Sequence, residues 1–199
     1  MLSNRLAKHF GAAAAAALVV GSANAAIVTW NLNLVIPNNI DGAYINIVTQ
    51  TTGTGSFAGY DINPYSSAAN NLSFWCPSGT SHGYIRTQAS GAASSLAGGF
   101  VVGASGPFIA ATSTAAISGT TVTNGWQLNA INYFGFRFFN EATSAVNYGY
   151  GVMQVGANGG ERTLLTLAYE DTGGSISVIP APGAMALLGL AGLAGRRRR

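Results

Sequence analysis

A serine and a histidine stand side by side in the segment Gly79-Thr-Ser-His-Gly83, and both side chains are able to do nucleophilic or acid–base chemistry. The segment matches Gly-x-Ser-x-Gly. In that pattern the serine is a nucleophile on a sharp turn from a strand into a helix, and a separate histidine further along the chain is its general base. His82 is the only histidine after residue 25, and Tyr84 to Thr87 predict a strand rather than a helix. We therefore interpret the match as a coincidence and predict no catalytic residue here.

Carboxylates are the second group that could do chemistry. Glu161 and Glu170 fall on one predicted strand, so their odd spacing points them to opposite faces and places them about 30 Å apart. Glycosidase carboxylates stand roughly 5 to 10 Å apart, so this pair is unsuitable, although Asp41, Asp61 or Glu141 could approach either of them. We predict that the protein is not an enzyme. A secreted hydrolase, which needs two carboxylates or the serine and histidine meeting in a cleft, is a less favoured alternative.

Metal and cofactor sites have little support in the sequence. Glu170-Asp171, followed by Thr172-Gly-Gly174, could supply oxygen ligands to calcium. A solvated strand end or a turn-forming aspartate is the preferred interpretation. The chain contains one cysteine, so histidine and cysteine residues form no cluster that could bind a transition metal. It also has no glycine-rich phosphate loop. We therefore predict no cofactor, with calcium left open.

Aromatic side chains offer binding rather than catalysis, because exposed indole and phenol rings stack on sugars. Most such residues in a strand-rich domain belong to the core or to cross-strand pairs. A carbohydrate-binding module is therefore the alternative function, and it needs an exposed tryptophan or tyrosine on a concave face with an aspartate or asparagine beside it. The candidates are Trp30, Trp75, Trp126, Tyr44, Tyr60, Tyr65, Tyr84, Tyr133, Tyr148, Tyr150 and Tyr169.

The elements that must position these residues are strands. Apolar residues alternate with mostly polar ones from Val28 to Ile36, a period of two that stops at Pro37-Asn-Asn39. Phe134, Phe136 and Phe138 share one face of another predicted strand. Shorter candidates are Tyr44–Gln50, Leu72–Cys76, Gly83–Thr87 and Phe100–Val102. Val146–Val155 and Arg162–Glu170 flank Gly156 to Gly160, a predicted hairpin turn.

These patterns predict an all-β fold, namely a single β-sandwich of jelly-roll or lectin-like type over residues 26–179. The segment Ala89–Asn124 is rich in Ala, Ser, Gly and Thr and could be a linker between two domains. Its apolar residues suit small strands, so we assign it to the same domain. Cys76 alternates with Leu72 and Phe74, which predicts a buried, unreactive thiol rather than an intermolecular disulfide.

The first 25 residues predict a signal peptide. Arg5 and Lys8 lie in a charged leading region, and an unbroken apolar stretch follows it. Ala23 and Ala25 then supply the small-x-small pattern that signal peptidase recognises, with Ala26 as the first mature residue. We expect this segment to form a helix in the membrane and to be removed on export.

The last 20 residues predict a second signal. The prolines of Pro180-Ala181-Pro182 separate the tail from the domain, and the apolar run that follows them is shorter than the roughly 20 residues that span a bilayer. Arg196, Arg197, Arg198 and Arg199 close the chain and would anchor it on the cytoplasmic side. An amphipathic C-terminal helix is disfavoured, because the run has no polar face.

Removing both ends reverses the charge of the chain. The whole sequence carries a formal charge of +3. Residues 26–182 keep three arginines against six carboxylates, a net charge of −3. We therefore predict no nucleic-acid partner, since binding to phosphates requires a basic surface.

The tail from Pro180 to Arg199 closely resembles the PEP-CTERM sorting domain of bacterial exported proteins, with Ala181 where the family usually has glutamate. The middle of the chain resembles uncharacterised ectodomains that carry such tails. The resembling stretches are Ala58–Tyr65, Leu72–Trp75, Phe134–Phe138, Asn147–Tyr150 and Ala168–Thr172.

That resemblance implies export, processing by an exosortase-type membrane enzyme and a surface or extracellular-matrix setting linked to exopolysaccharide. It implies no catalytic residues. The expected partners are signal peptidase, the sorting enzyme, the membrane before processing and an exopolysaccharide. The expected role is structural or adhesive.

Overall fold

The computed structural model describes residues 25–89, 91–110 and 112–179. The two terminal helices predicted for the signals lie outside these ranges, as do Ala23, Pro180, Ala181, Pro182, Arg196, Arg197, Arg198 and Arg199. In the part that the structure describes, no helix is both long and apolar enough to cross a membrane.

The regular secondary structure of the described ranges consists of strands alone, which confirms the all-β prediction. The strands are β1 Ile27–Val35, β2 Tyr44–Asn46, β3 Thr51–Gly53, β4 Asn63–Tyr65, β5 Asn71–Trp75, β6 Gly83–Ile85, β7 Val101–Val102, β8 Phe108–Ile109, β9 Thr112–Ser118, β10 Thr121–Val122, β11 Ala130–Asn140, β12 Ala145–Val155, β13 Arg162–Glu170 and β14 Ile176–Ser177.

A six-stranded antiparallel sheet forms the larger layer, in the order β1-β13-β12-β11-β6-β8. Its centre is the meander of β11, β12 and β13, and the predicted hairpin around Gly156 to Gly160 joins the last two, as expected. β1 lies at one edge and alternates between exposed and half-buried positions, in agreement with its period of two.

A four-stranded sheet, in the order β10-β9-β5-β4, shares an apolar core with the six-stranded sheet. The rings of Phe74 on β5 and Phe134 on β11 are 5.0 Å apart, and Trp126 lies 5.5 Å from Phe74. We call Phe134, Phe136 and Phe138 the phenylalanine row. All three are fully buried in this core, which confirms that they share one face of their strand.

Glycines on β12 make room for the phenylalanine row. Gly149 pairs with Phe136 across the ladder, and Gly151 pairs with Phe134. A Cβ atom added to Gly149 would lie 2.5 Å from the Phe136 ring, and one on Gly151 would clash with the Phe134 ring. The alternation of tyrosine and glycine from Tyr148 to Gly151 therefore belongs to the packing of β11, because only hydrogen fits beneath each ring.

The opposite face of the six-stranded sheet is covered by a second apolar cluster. Tyr148 and Tyr150 on β12 pack there with Leu96, Val102 and other residues of the connecting segments. The segment 89–124, considered above as a linker, places Leu96, Val102 and Ile117, among others, in the two clusters. It is therefore part of the packed structure. Cys76 is buried, as predicted.

One predicted strand is interrupted by a turn. Tyr44–Gln50 is a single candidate in the sequence, but β2 ends at Asn46 and a turn leads into β3. The Asn46 side chain accepts a hydrogen bond from Thr49 N at 2.7 Å, and Gln50 has φ of 53°. The asparagine stabilises the turn through its side chain, which an alternation of apolar residues does not reveal.

Candidate functional site

A cavity of about 240 Å³ opens at the outer strand of the four-stranded sheet. We call it the Trp75 pocket and define it by its lining residues, Ile40, Tyr44, Asn63, Tyr65 and Trp75.

Backbone pairing brings the pocket residues together. Trp75 ends β5 directly opposite Asn63 on β4, and Tyr65 follows two residues later on the same strand. Pro64 between them has no N–H to donate, and β4 is an edge strand, where proline is tolerated. Tyr44 begins β2, and a bridge between Ile45 and Ile62 holds β2 beside this edge.

Trp75 is more exposed to solvent than the other two tryptophans. Its side chain is 44% exposed, whereas Trp126 is buried and donates its indole N–H to Ala93 O at 2.8 Å. Trp30 is half-buried against the core. All three are possible sugar-stacking residues by sequence, and Trp75 is the most exposed of them.

A buried amide lies beside the exposed indole. Asn63 is 2% exposed, its Nδ2 donates to Asp41 O at 2.7 Å, and its backbone N donates to the hydroxyl of Tyr84 at 3.2 Å. Tyr84 in turn donates to Trp75 O at 2.6 Å. These bonds fix the orientation of the amide and of the strand that carries the indole.

The tyrosines around the pocket are held by further contacts. The rings of Tyr44 and Tyr60 meet edge to face at 4.9 Å. Burial raises the pKa of Tyr60, and a side-chain hydrogen bond with Trp75 opposes that rise. Burial likewise raises the pKa of Tyr65, against a hydrogen bond with Ser73. The phenols of Tyr60 and Tyr65 therefore stay neutral around pH 7 and act as hydrogen-bonding and stacking groups.

A second cavity, of about 410 Å³, lies beside the edge strand β1. Leu34, Val35, Pro37 and residues 42–43 and 52–54 line it, without an aromatic ring or a charged side chain. It has more room than the Trp75 pocket but fewer groups that could recognise a ligand.

The structure places the side chains of Ser81 and His82 next to each other. They precede the strand β6 rather than a helix. Ser81 Oγ lies 3.1 Å from His82 Nδ1, and His82 Nε2 lies 3.6 Å from Asp61 Oδ1. The second distance is longer than a hydrogen bond, so we treat it as an electrostatic contact. From the sequence, Asp61 was expected only as a possible partner of Glu161 or Glu170.

Asp61 is a fully buried carboxylate. Its Oδ2 accepts a hydrogen bond from Ile47 N at 2.7 Å, and among the described residues Oδ1 accepts none. Burial raises the pKa of this carboxyl, and the contacts with His82 and Ile47 oppose the rise. Nothing in the local sequence marks it, since Asp61 lies outside the candidate strands.

Glu161 and Glu170 occupy turns at the two ends of β13. Glu161 accepts hydrogen bonds from Ala157 N at 3.0 Å and from the Asn158 side chain at 2.8 Å. Glu170 is buried and accepts from Thr172 N at 3.0 Å and from Gly174 N. Each carboxylate stabilises its own turn, so the structure does not bring them together.

The acidic pair considered for calcium is also held within the fold. Asp171 Oδ1 accepts a hydrogen bond from Ala26 N at 2.9 Å, and Asp171 N donates to Ala26 O at 3.1 Å. No group of three or more histidine, cysteine, aspartate or glutamate side chains within the described ranges is arranged to hold a metal ion. The calcium site stays a prediction.

The described part of the predicted signal-cleavage site is accessible. Ala25 and Ala26 are exposed, and β1 begins at the next residue, Ile27. Cleavage between the two alanines would therefore leave β1 intact.

Comparison of the chain with protein-family models, with curated proteins and with solved structures finds no match. The function is therefore inferred from the residues and from the geometry that they adopt.

Proposed function

We propose that this protein is exported and acts as a surface or extracellular-matrix protein whose all-β ectodomain binds carbohydrate in the Trp75 pocket. One observation carries the binding function: an exposed indole, Trp75, shares a concave surface with the buried amide of Asn63. This is the arrangement by which the sequence analysis set a carbohydrate-binding module apart from a domain whose aromatic residues are all in the core.

The chemistry of the pocket suits a sugar ring. A pyranose has an apolar face of C–H groups, which packs on an indole, and a rim of hydroxyls, which need hydrogen-bond partners. Asp41 O takes one of the two amide hydrogens of Asn63. The other hydrogen and the amide oxygen are the groups that we assign to the sugar hydroxyls. Tyr44 and Tyr65 line the same cavity and complete its aromatic wall.

The size of the pocket limits the ligand. Its volume of about 240 Å³ is below the roughly 300–1,000 Å³ of sites that enclose drug-sized molecules. We therefore propose that one sugar unit of a polymer enters the pocket while its neighbours stay in solvent. Affinity for one unit is then weak, and several copies of the protein on a surface hold a polysaccharide through multivalency.

Export is supported by the two terminal signals in the sequence. Signal peptidase would cleave before Ala26, and an exosortase-type enzyme would read the tail that begins at Pro180. The protein would be anchored briefly in the inner membrane and then released to the cell surface or matrix, where an exopolysaccharide is the expected ligand.

Binding is tested with the full chain on a glycan array, with and without calcium. Trp75→Ala should lose the retained glycans, whereas Ile131→Ala, which truncates another exposed apolar side chain, should keep them. If both variants retain the glycans equally, the Trp75 pocket is not the carbohydrate-binding site. A loss of binding on calcium removal, with Trp75 intact, would instead favour the acidic pair Glu170-Asp171.

Sorting is tested separately by the masses of the mature termini in cells with and without the candidate sorting enzyme. We expect a chain that begins at Ala26 in both strains and a shortened C-terminus only where the enzyme is present. An intact tail in both strains would refute sorting without touching carbohydrate binding.

A further inference from the structure

We propose that Ser81, His82 and Asp61 form a nucleophilic site that accepts an acyl group from small carboxylic esters. This goes beyond carbohydrate binding and uses none of the residues of the Trp75 pocket. The three side chains form a chain of contacts, with Ser81 Oγ 3.1 Å from His82 Nδ1 and His82 Nε2 3.6 Å from Asp61 Oδ1. A serine, histidine and carboxylate in this order are recognised by geometry and roles rather than by sequence order.

Asp61 can direct the proton of the imidazole. It is fully buried, its Oδ2 is fixed by Ile47 N, and Oδ1 faces His82 without a hydrogen bond from the described residues. A buried carboxylate without a second donor favours a proton on the nearest nitrogen, Nε2. The other ring nitrogen, Nδ1, is then an acceptor that faces the serine hydroxyl. The distance of 3.6 Å is long for catalysis, but such contacts shorten when a substrate binds.

A second group acts on the same nitrogen. Phe139 N–H points at His82 Nε2 across 3.5 Å, which favours the opposite tautomer. At that length the N–H is a weak donor, whereas the Asp61 carboxylate, once ionised, is a charged acceptor in a buried site where water screens little. We therefore expect that removing the charge of Asp61, with no other change, moves the ring proton from Nε2 to Nδ1.

The backbone around the site is held, and the serine is accessible. Arg137 Nε donates to His82 O at 3.3 Å, and the Arg137 guanidinium stacks on Phe108 at 4.7 Å. Ser81 is only partly buried. A Cβ atom added to Gly79 would meet no atom within 4 Å, so the loop before Ser81 opens to solvent. A small ester can therefore reach the hydroxyl.

The reaction has two steps. Ser81 Oγ forms a bond to the ester carbonyl carbon while its proton moves to His82 Nδ1. The bond from that carbon to the alcohol oxygen then breaks, and His82 returns the proton to the departing alkoxide. Water next attacks the acyl-serine and gives its proton to Nδ1. The carboxylic acid leaves, and Ser81 regains its hydrogen.

The test uses the full chain and p-nitrophenyl acetate, with release of nitrophenolate followed by absorbance and the acetylated residue located by peptide mass. We expect acetyl on Ser81, none in Ser81→Ala, and an unchanged rate in Ser78→Ala, which alters another serine of the same loop. His82→Gln should slow acetylation roughly 10²- to 10⁴-fold, the range of general base catalysis. Circular dichroism confirms that each variant is folded. Nitrophenolate release no faster than in Ser81→Ala, or an equal rate in His82→Gln, would overturn the site.

Asp61 is a positioning residue, so its test needs a signal that folding alone does not change. Nitrogen NMR of the His82 ring at pH 8 should show the proton on Nε2 in the natural chain and on Nδ1 in Asp61→Asn, together with slower acetylation. The same tautomer in both proteins would refute the role of Asp61. Trp75→Ala should keep full acetylation while it loses glycans, so the two proposals succeed or fail independently.

Discussion

The phenylalanine row and the Trp75 pocket are both built from aromatic residues on strands, yet their surroundings are opposite. Phe134, Phe136 and Phe138 are fully buried, and glycines face two of them across the ladder. Trp75 is 44% exposed, with a buried asparagine opposite it. The row is surrounded by carbon atoms, whereas the pocket offers a ring to solvent beside a fixed amide.

This difference shows that the partner across the strand pair decides what an aromatic side chain does. A glycine opposite lets a ring lie flat on the sheet and pack at the density of a protein interior. An asparagine opposite brings hydrogen-bonding groups that need a partner once they are buried. The row therefore stabilises the fold, and the pocket exposes the groups that the proposed binding requires. Substitutions in the phenylalanine row should therefore affect mainly stability, and substitutions in the Trp75 pocket mainly binding.

Phe134→Ala should give the largest loss of stability. Phe134 is fully buried and contacts the rings of Phe74, Tyr84, Trp126 and Phe136. Removal of such a side chain costs about 3–5 kcal/mol of the free energy of unfolding, measured by denaturant titration. Glycan retention per folded molecule should not change. A loss below about 1 kcal/mol would contradict the described packing.

Gly151→Ala should lower the free energy of unfolding by about 1–3 kcal/mol, the usual cost of overpacking a core. The added methyl group would clash with the Phe134 ring. The matched control is the same change in a Phe134→Leu background, where the smaller side chain leaves room and the cost of the methyl group should fall. Equal costs in both backgrounds would show that glycine is needed for another reason.

Trp75→Ala should behave in the opposite way. We expect a change in the free energy of unfolding of about 1 kcal/mol or less, since the ring is largely at the surface. Affinity for the retained glycan should fall at least tenfold, which corresponds to about 1.4 kcal/mol of binding. The two quantities come from denaturant titration and from calorimetry with the glycan found on the array. A loss of stability as large as that of Phe134→Ala would place Trp75 in the core.

Asp61→Asn should change how stability depends on pH. Burial raises the pKa of Asp61 above the value of about 3.9 in the unfolded chain. Its contribution to stability is therefore fully present below that value and is lost as pH rises through the folded pKa. Asp61→Asn cannot ionise, so the variant does not lose this contribution, and its amide oxygen can still accept from Ile47 N. The free energy of unfolding of the variant, relative to that of the natural chain, should therefore increase from pH 4 towards neutrality. A constant difference would refute the raised pKa.

Much of the fold follows from local patterns. Alternation of apolar residues predicts β1 and the row on β11, and the glycines and asparagine between β12 and β13 predict their turn. β13 begins and ends where the sequence places it. The two-residue strands β8, β10 and β14 are harder to predict, because two residues are too few to show an alternation of apolar and polar side chains.

The candidate site is less predictable than the fold. The tryptophans and tyrosines were recognised as possible ligand-binding residues, but the sequence does not tell Trp75 from Trp126. Ile40 and Asn63 were not recognised, because they line the pocket only after three separate segments come together. Asp61 is near His82 for the same reason, although the two residues are 21 positions apart in the sequence.

The sequence by itself determined what depends on short stretches of chain: the strand character, the buried position of Cys76 and the two terminal patterns that predict export. The tertiary structure decided which aromatic residue is exposed, which amide lies beside it and which carboxylate faces His82. These properties depend on contacts between distant residues, and the alternation of side chains along a strand specifies a face but not the neighbour across from it.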